Sequence, residues 1–264
     1  MEIAQIEYAA IMISLFFFAA SAVFDLKARE VTDKIWIVYG PLGAALTTLQ
    51  LFINPSTLFL AIVSIAISTL VSLGLCYFGL FGGADAKATI CLGLTLPLIP
   101  RSFEPFMGYA HPFFPIVVVM GGFICSASAA LWLAAMNFLT YLREGPRMFA
   151  GLEHEPRWRK LMAIATGYPA DVSKLRSIFY LYPMEEVVKN STGSHRSFKL
   201  FTSAETDRNE MVSKFIYSLS ELGFQGKVWV TPGLPMLLFM FIGLIVALIL
   251  GDVVFSTALL LASR

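Results

Sequence analysis

From Thr57 to Phe78 the chain runs 22 residues without a single charged side chain. A helix needs roughly 20 apolar residues to cross the hydrocarbon core of a bilayer. Comparable runs recur at Ile6 to Phe24, Ile35 to Phe52, Phe113 to Leu142 and Leu234 to Leu250, with a shorter one at Ala88 to Ile99. In lipid every backbone amide and carbonyl must be satisfied within the chain, so such runs fold as helices. Only 14% of the 264 residues are charged and 57% are hydrophobic, where a soluble domain carries nearer a quarter charged. The expected fold is an all-α polytopic membrane protein of six transmembrane helices, with a small soluble α+β insert before the last helix. The bilayer is its first partner. A net charge of +1 gives no reason to expect nucleic acid. The pattern is silent on oligomeric state.

The first run lacks a basic flank before it and ends at Asp25, so it reads as a retained helix and not as a cleaved signal. A charged connector, Asp25 to Lys34, leads to the second run. Asn54-Pro55-Ser56 marks a tight turn before the third. Residues 143–227 differ in kind, being polar, mixed in charge and home to most basic residues. Within them, apolar residues at 211, 212, 215, 216, 219 and 222 follow the spacing of one helix face. The expected division is a membrane domain over 1–142, a soluble insert over 143–227, and a last span with its tail over 228–264. Trp229-Val230-Thr231-Pro232 reads as a strand end or an interfacial aromatic. Asp252 precedes a last apolar stretch that either prolongs the sixth span or lies at the interface.

Sidedness follows from Lys and Arg, which favour cytoplasmic loops. Seventeen of the nineteen fall in the first connector, the third connector and the insert. Six spans put all three on one side. The protein is therefore expected in the cell membrane with both termini outside and these connectors and the insert in the cytoplasm.

This topology brings two carboxylates to one depth. Asp25 closes span 1. Asp85 lies in a glycine-rich break, Gly79-Leu80-Phe81-Gly82-Gly83-Ala84-Asp85-Ala86-Lys87, between spans 3 and 4. Both are placed at the cytoplasmic ends of their helices. Ionisable groups at membrane depth are costly and mark function by default. Two close carboxylates do not readily both ionise, so the pair shares a proton. One can then act as base on a water while the other polarises a peptide carbonyl. Each Asp also has a bland reading, Asp25 as an interfacial cap and Asp85 as the N-cap of a span 4 that extends back to it. Lys87 is expected to meet lipid headgroups, Glu7 and Asp252 to lie at the opposite end, and His111, His154 and His195 to be surface histidines. Cys76, Cys91 and Cys125 form no CxxC pair, so no disulfide framework and no metal site is expected.

Residues Asp25-Leu26-Lys27-Ala28-Arg29-Glu30, followed by Ile35-Trp36, and Gly82-Gly83-Ala84-Asp85-Ala86-Lys87 resemble the archaeal preflagellin and type IV prepilin peptidases. These are membrane aspartyl proteases of the GxGD type. Phe114-Pro115-Ile116 and Trp229-Val230-Thr231-Pro232 add to the likeness, which covers nearly the whole chain. The third position of the GxGD pattern is Ala84 here. The resemblance implies that Asp25 and Asp85 are the catalytic pair, supported by the backbone at Gly82, Gly83 and Ala84. It implies removal of short basic leader peptides from archaellin and pilin precursors at the cytoplasmic face, without a cofactor. Glu30 and Asp33 are candidates for holding the basic leader. Bacterial relatives often carry a cysteine tetrad and a methylating activity; this chain lacks the tetrad, so neither zinc nor methyl transfer is expected. The rival classes are an ion-coupled transporter or channel, a presenilin-like or signal-peptide-peptidase-like protease that clips membrane segments more generally, and a non-enzymatic assembly protein.

Overall fold

The structure, a computed structural model, describes residues 3–102, 104–109, 111–190, 193–199, 208–224 and 226–263. The chain forms two compact units, Met1–Ser126 with Pro235–Arg264, and Ala127–Leu234.

The first unit is helical. Helices α1 (Ile3–Ala28), α2 (Asp33–Ile53), α3 (Leu58–Tyr77) and α4 (Gly83–Thr95) follow in order, and α5 (Phe114–Glu144) begins in this unit and ends in the next. After the second unit come α9 (Met236–Ile249) and α10 (Val253–Ala262). Among the described residues α1, α2, α3 and α5 are each long and apolar enough to cross a membrane. The α9–α10 pair makes a fifth crossing if a helix pair bent by 58° counts as one. Large apolar side chains such as Phe16, Phe59, Leu70 and Trp132 stand about two-thirds or more exposed along these helices, the surface that lipid would cover. This is a multi-pass membrane protein.

The expected fourth and sixth spans differ from what the helices provide. Helix α4 has 13 residues, about 20 Å at 1.5 Å per residue against a hydrocarbon core of about 30 Å. It starts five residues earlier than its apolar run, and Asp85 is on its first turn. It stops early because Pro97 disfavours the helical conformation at Leu96; Leu98 then bridges Phe113. At the other end, Gly251 takes a left-handed φ of 86° and breaks the last apolar stretch away from α9. Asp252 caps α10 by accepting the Phe255 N–H at 3.1 Å.

Small residues let α4 sink between its neighbours. On α3, Ser64, Ser68 and Ser72 recur every fourth residue and are fully buried; Ser68 and Ser72 turn their hydroxyls back to their own helix and Ser64 donates to the Pro97 carbonyl at 2.5 Å. A side chain at Gly93 would run into Ser68, and one at Gly43 of α2 would run into Thr95. Close approach through small residues is how membrane helices gain packing when lipid removes the hydrophobic drive. Helix α9 crosses α5 the same way, Gly243 against Gly121 and Gly122.

The second unit begins within α5. It contains α6 (Arg157–Thr166), β1 (Tyr168–Asp171), α7 (Val172–Ser177), β2 (Leu181–Pro183), β3 (Glu185–Asn190), β4 (Gly193–Phe198), α8 (Arg208–Glu221) and β5 (Lys227–Pro232). Strand β5 is the centre of a three-stranded antiparallel sheet in the order β1-β5-β2, and β3 and β4 form a separate hairpin. Alternation along β5 splits its side chains between two cores. Val228 and Val230 join Val212, Phe215, Ile216 and Leu219 of α8, four of the six positions that the helical spacing had marked. Trp229 joins Met148, Phe149 and Phe198 on the other face and stacks on Phe149 at 5.1 Å. It is a core residue of the sheet and not an interfacial one.

A buried ion pair sits beside Trp229. Glu185 is 2% exposed and its Oε1 accepts the Trp229 N–H at 2.7 Å. Its Oε2 lies 3.4 Å from Nε of Arg196. Burial pushes the Glu185 carboxyl up to about 7, against the pull of Arg196 and of the Trp229 amide. A carboxyl that binds its proton more tightly when folded favours the fold fully below its unfolded value of about 4.5, and that contribution is lost as pH rises through about 7. The stability difference between wild type and Glu185→Gln, measured by denaturation of the full-length protein in detergent, is therefore expected to move against wild type between pH 5 and pH 8. A difference independent of pH would contradict this.

Candidate active site

Asp25 lies on the last turn of α1. The helix closes behind it at Arg29, whose φ of 56° is left-handed, a conformation that costs an L-residue about 1–2 kcal/mol. The Arg29 N–H reaches back to the Asp25 carbonyl at 3.1 Å. Its guanidinium lies 3.5 Å from Asp25 Oδ1, with the carboxylate side chain only 13% exposed. The backbone N–H of Leu237, at the start of α9, is directed at the same carboxylate. The other oxygen, Oδ2, is buried and accepts no hydrogen bond among the described residues.

Asp85 occupies the third position of α4 and accepts the Gly82 N–H at 2.8 Å. Gly82, and not Asp85, is the N-cap of α4; Asp85 reaches back from the third helical position to the N-cap amide, as the acid of a capping box does. A second observation goes further. The carboxylates of Asp25 and Asp85 are close enough for the charge of one to act on the other. Residues 60 apart in sequence are thus brought to the same end of the first unit. Asp85 stands on the first turn of α4, and Asp25, though on the last turn of α1, faces the first amides of α9; free amides at a helix start favour negative charge. The arrangement holds two carboxylates in a half-buried place and can stabilise the negative charge of one of them.

The glycine-rich segment shapes the approach to Asp85. Gly79, with φ 71°, supplies the left-handed turn out of α3. A side chain at Gly82 would press on Asp85 Oδ2 at 3.3 Å, while one at Gly83 would meet nothing within 4 Å. Ala84 is in ordinary helical conformation on the first turn of α4 and packs against the core. Nothing at that position requires glycine, so alanine fits the GxGD pattern without strain.

The other acids have separate tasks. Glu7, at the far end of α1, accepts the Ser102 N–H at 2.9 Å and the Ser102 hydroxyl at 2.5 Å. Asp252 is fully buried, and its Oδ2 lies 3.5 Å from Nε2 of His111. His111 is therefore not a solvated surface residue. Its Nδ1 accepts the Phe113 N–H at 3.2 Å, which leaves Nε2 to carry the proton toward Asp252. Lys87 does not simply face headgroups: its Nζ lies 2.6 Å from Asp33 Oδ1. The sequence carries no local signal for that pair, 54 residues apart, beyond opposite charges at one depth. The Leu237 amide was equally silent, although Pro235 just before it suits the start of a helix. Among the described residues no three His, Cys, Asp or Glu gather as metal ligands would.

Residues 12–131 match the type IV leader peptidase family and residues 159–253 match the archaeal peptidase A24 C-terminus, type II. The first match contains both Asp25 and Asp85. These features define a membrane-embedded peptidase of the aspartic type. The chain belongs to the type IV leader peptidase family. It is similar to a preflagellin peptidase of Methanocaldococcus jannaschii, 24% identical over 88% of this chain and 89% of that one. It is also similar to a preflagellin peptidase of Methanococcus voltae, 26% identical over 89% of this chain and 92% of that one.

Proposed function

We propose that this protein removes basic leader peptides from archaellin and type IV pilin-like precursors at the cytoplasmic face of the membrane, using Asp25 and Asp85 as an acid–base pair on water. The observation that carries the reading is the nearness of these two carboxylates, from α1 and α4, close enough for one charge to act on the other. Two relatives named preflagellin peptidase, each matched over most of both chains, support the substrate class.

In the resting pair one proton is shared. The ionised carboxylate takes a proton from water as the oxygen attacks the scissile carbonyl carbon. The protonated one gives its proton to the carbonyl oxygen, so a neutral tetrahedral species forms and the pair keeps one proton. That proton then passes to the leaving nitrogen as the C–N bond breaks, one hydroxyl of the tetrahedral species returns its proton to the pair, and the new carboxyl group leaves at the C-terminus of the leader. The amides opening α4 and α9 favour the ionised member throughout. The precursor is itself a hydrophobic helix with a charged N-terminal leader. It lies laterally against the membrane unit and unwinds at the cleavage site, because an intact helix hides its peptide bonds in hydrogen bonds. The preponderance of Lys and Arg in the connectors and insert supports a cytoplasmic placing of the site, with both termini outside.

The reading is tested with the purified full-length protein in detergent and a synthetic archaellin precursor. Mass spectrometry should find the leader released intact, with one new N-terminus at the start of the mature chain. Cuts scattered through the hydrophobic segment would point instead to a protease of general membrane helices.

A further inference from the structure

Asp33 and Lys87 form a bridge beside the candidate catalytic pair. Asp33 opens α2, and Lys87 stands two residues beyond Asp85 on α4. Their contact at 2.6 Å is short, yet both side chains are open to solvent, 69% and 48% exposed. The two charges are not equally well placed. Asp33 in the first turn of α2 is favoured by the helix dipole whichever cation faces it, while Lys87, on the second turn of α4, gains nothing from that helix. An exposed pair of this kind is worth little and exchanges readily. The Arg29–Asp25 contact is its opposite, with side chains only 19% and 13% exposed. The remaining charges of the connector, Lys27, Glu30 and Lys34, are exposed.

We propose that Lys87 is a stand-in for the leader. It occupies Asp33 in the substrate-free enzyme and yields it to a basic residue of the incoming leader, so that the pair sets the preference for positive charge. This rests on the peptidase reading above and adds the residues that select the substrate. Releasing Lys87 exchanges one bridge for another. The cost of freeing Asp33 appears in substrate binding and not in the chemical step.

The experiment uses full-length enzyme in detergent with two precursors, one with a lysine-bearing leader and one in which those lysines are glutamates. Lys87→Met removes the competitor, and KM for the basic precursor should fall about two- to fivefold with kcat unchanged. The exchange Asp33→Lys with Lys87→Asp keeps a bridge but reverses its polarity. It should raise KM for the basic precursor about fivefold, and cleave the acidic precursor better than wild type does. An exchanged enzyme with wild-type KM for the basic precursor, or a Lys87→Met enzyme with KM unchanged or raised, would overturn the proposal while leaving the peptidase reading intact. A wild type that cleaves neither precursor would overturn both.

Discussion

Asp85→Asn should abolish precursor cleavage, by about a thousandfold or more, while leaving α4 in place. The two roles of Asp85 separate cleanly in this substitution. As a cap, Asp85 accepts the Gly82 N–H at 2.8 Å, and the carbonyl oxygen of asparagine can accept the same bond. The acceptor at this third helical position is therefore kept, so folding and membrane yield should change little. As half of a proton-sharing pair, however, a carboxamide can neither take a proton from water nor give one to a carbonyl. General acid–base catalysis commonly supplies 10²–10⁴-fold, and here one residue change removes both directions of transfer. Asp25→Asn should behave alike, since its neighbours, the Arg29 guanidinium and the Leu237 amide, are both donors that an amide oxygen can still meet. Measured as single-turnover cleavage, each single variant should fall to about the level of the double variant, as residues acting as one unit do.

The second large effect concerns the other unit. Arg196→Ala should destabilise it by about 3 kcal/mol, the cost expected for breaking a buried pair by removing one partner. Arg196 is 6% exposed. Its guanidinium donates to the carbonyls of Ala150 at 2.6 Å and Lys227 at 3.2 Å, lies over the Phe224 ring at 4.2 Å and faces Glu185. Alanine removes both hydrogen bonds and leaves Glu185 without its counter-charge. Limited proteolysis of the full-length protein in detergent should show the region 145–233 cut far sooner in the variant. A second change, Glu185→Leu, should recover part of the loss, because the buried carboxylate is then gone as well. Equal protection of wild type and Arg196→Ala would show that the pair holds nothing together.

What could be read from the chain divides along physical lines. Apolar runs report membrane helices because the bilayer acts on every residue in the run, so α1, α2, α3 and α5 fall where Ile6–Phe24, Ile35–Phe52, Thr57–Phe78 and Phe113–Leu142 place them. The spacing from 211 to 222 reports α8 because one face must meet a core. The bounds of α4 were less legible. Its start follows from a capping carboxylate within a stretch that reads as a break, and its end follows from Pro97. The bend at Gly251 has the same character, since a single left-handed residue divides an otherwise continuous apolar stretch. Pairings across the fold left no trace at all. Asp33 with Lys87, Glu185 with Arg196, and His111 with Asp252 join residues brought together only by packing. The shared end of Asp25 and Asp85 is the exception, because membrane depth is itself a coordinate that sequence encodes.

The most direct measurement is leader removal from a co-expressed archaellin precursor, read by gel shift, in membranes holding equal amounts of wild type, Asp25→Asn and Asp85→Asn. The account predicts a fully shifted precursor with wild type and an unshifted one with either variant. A precursor that still shifts with either variant would contradict the paired-carboxylate mechanism and return that aspartate to a structural role.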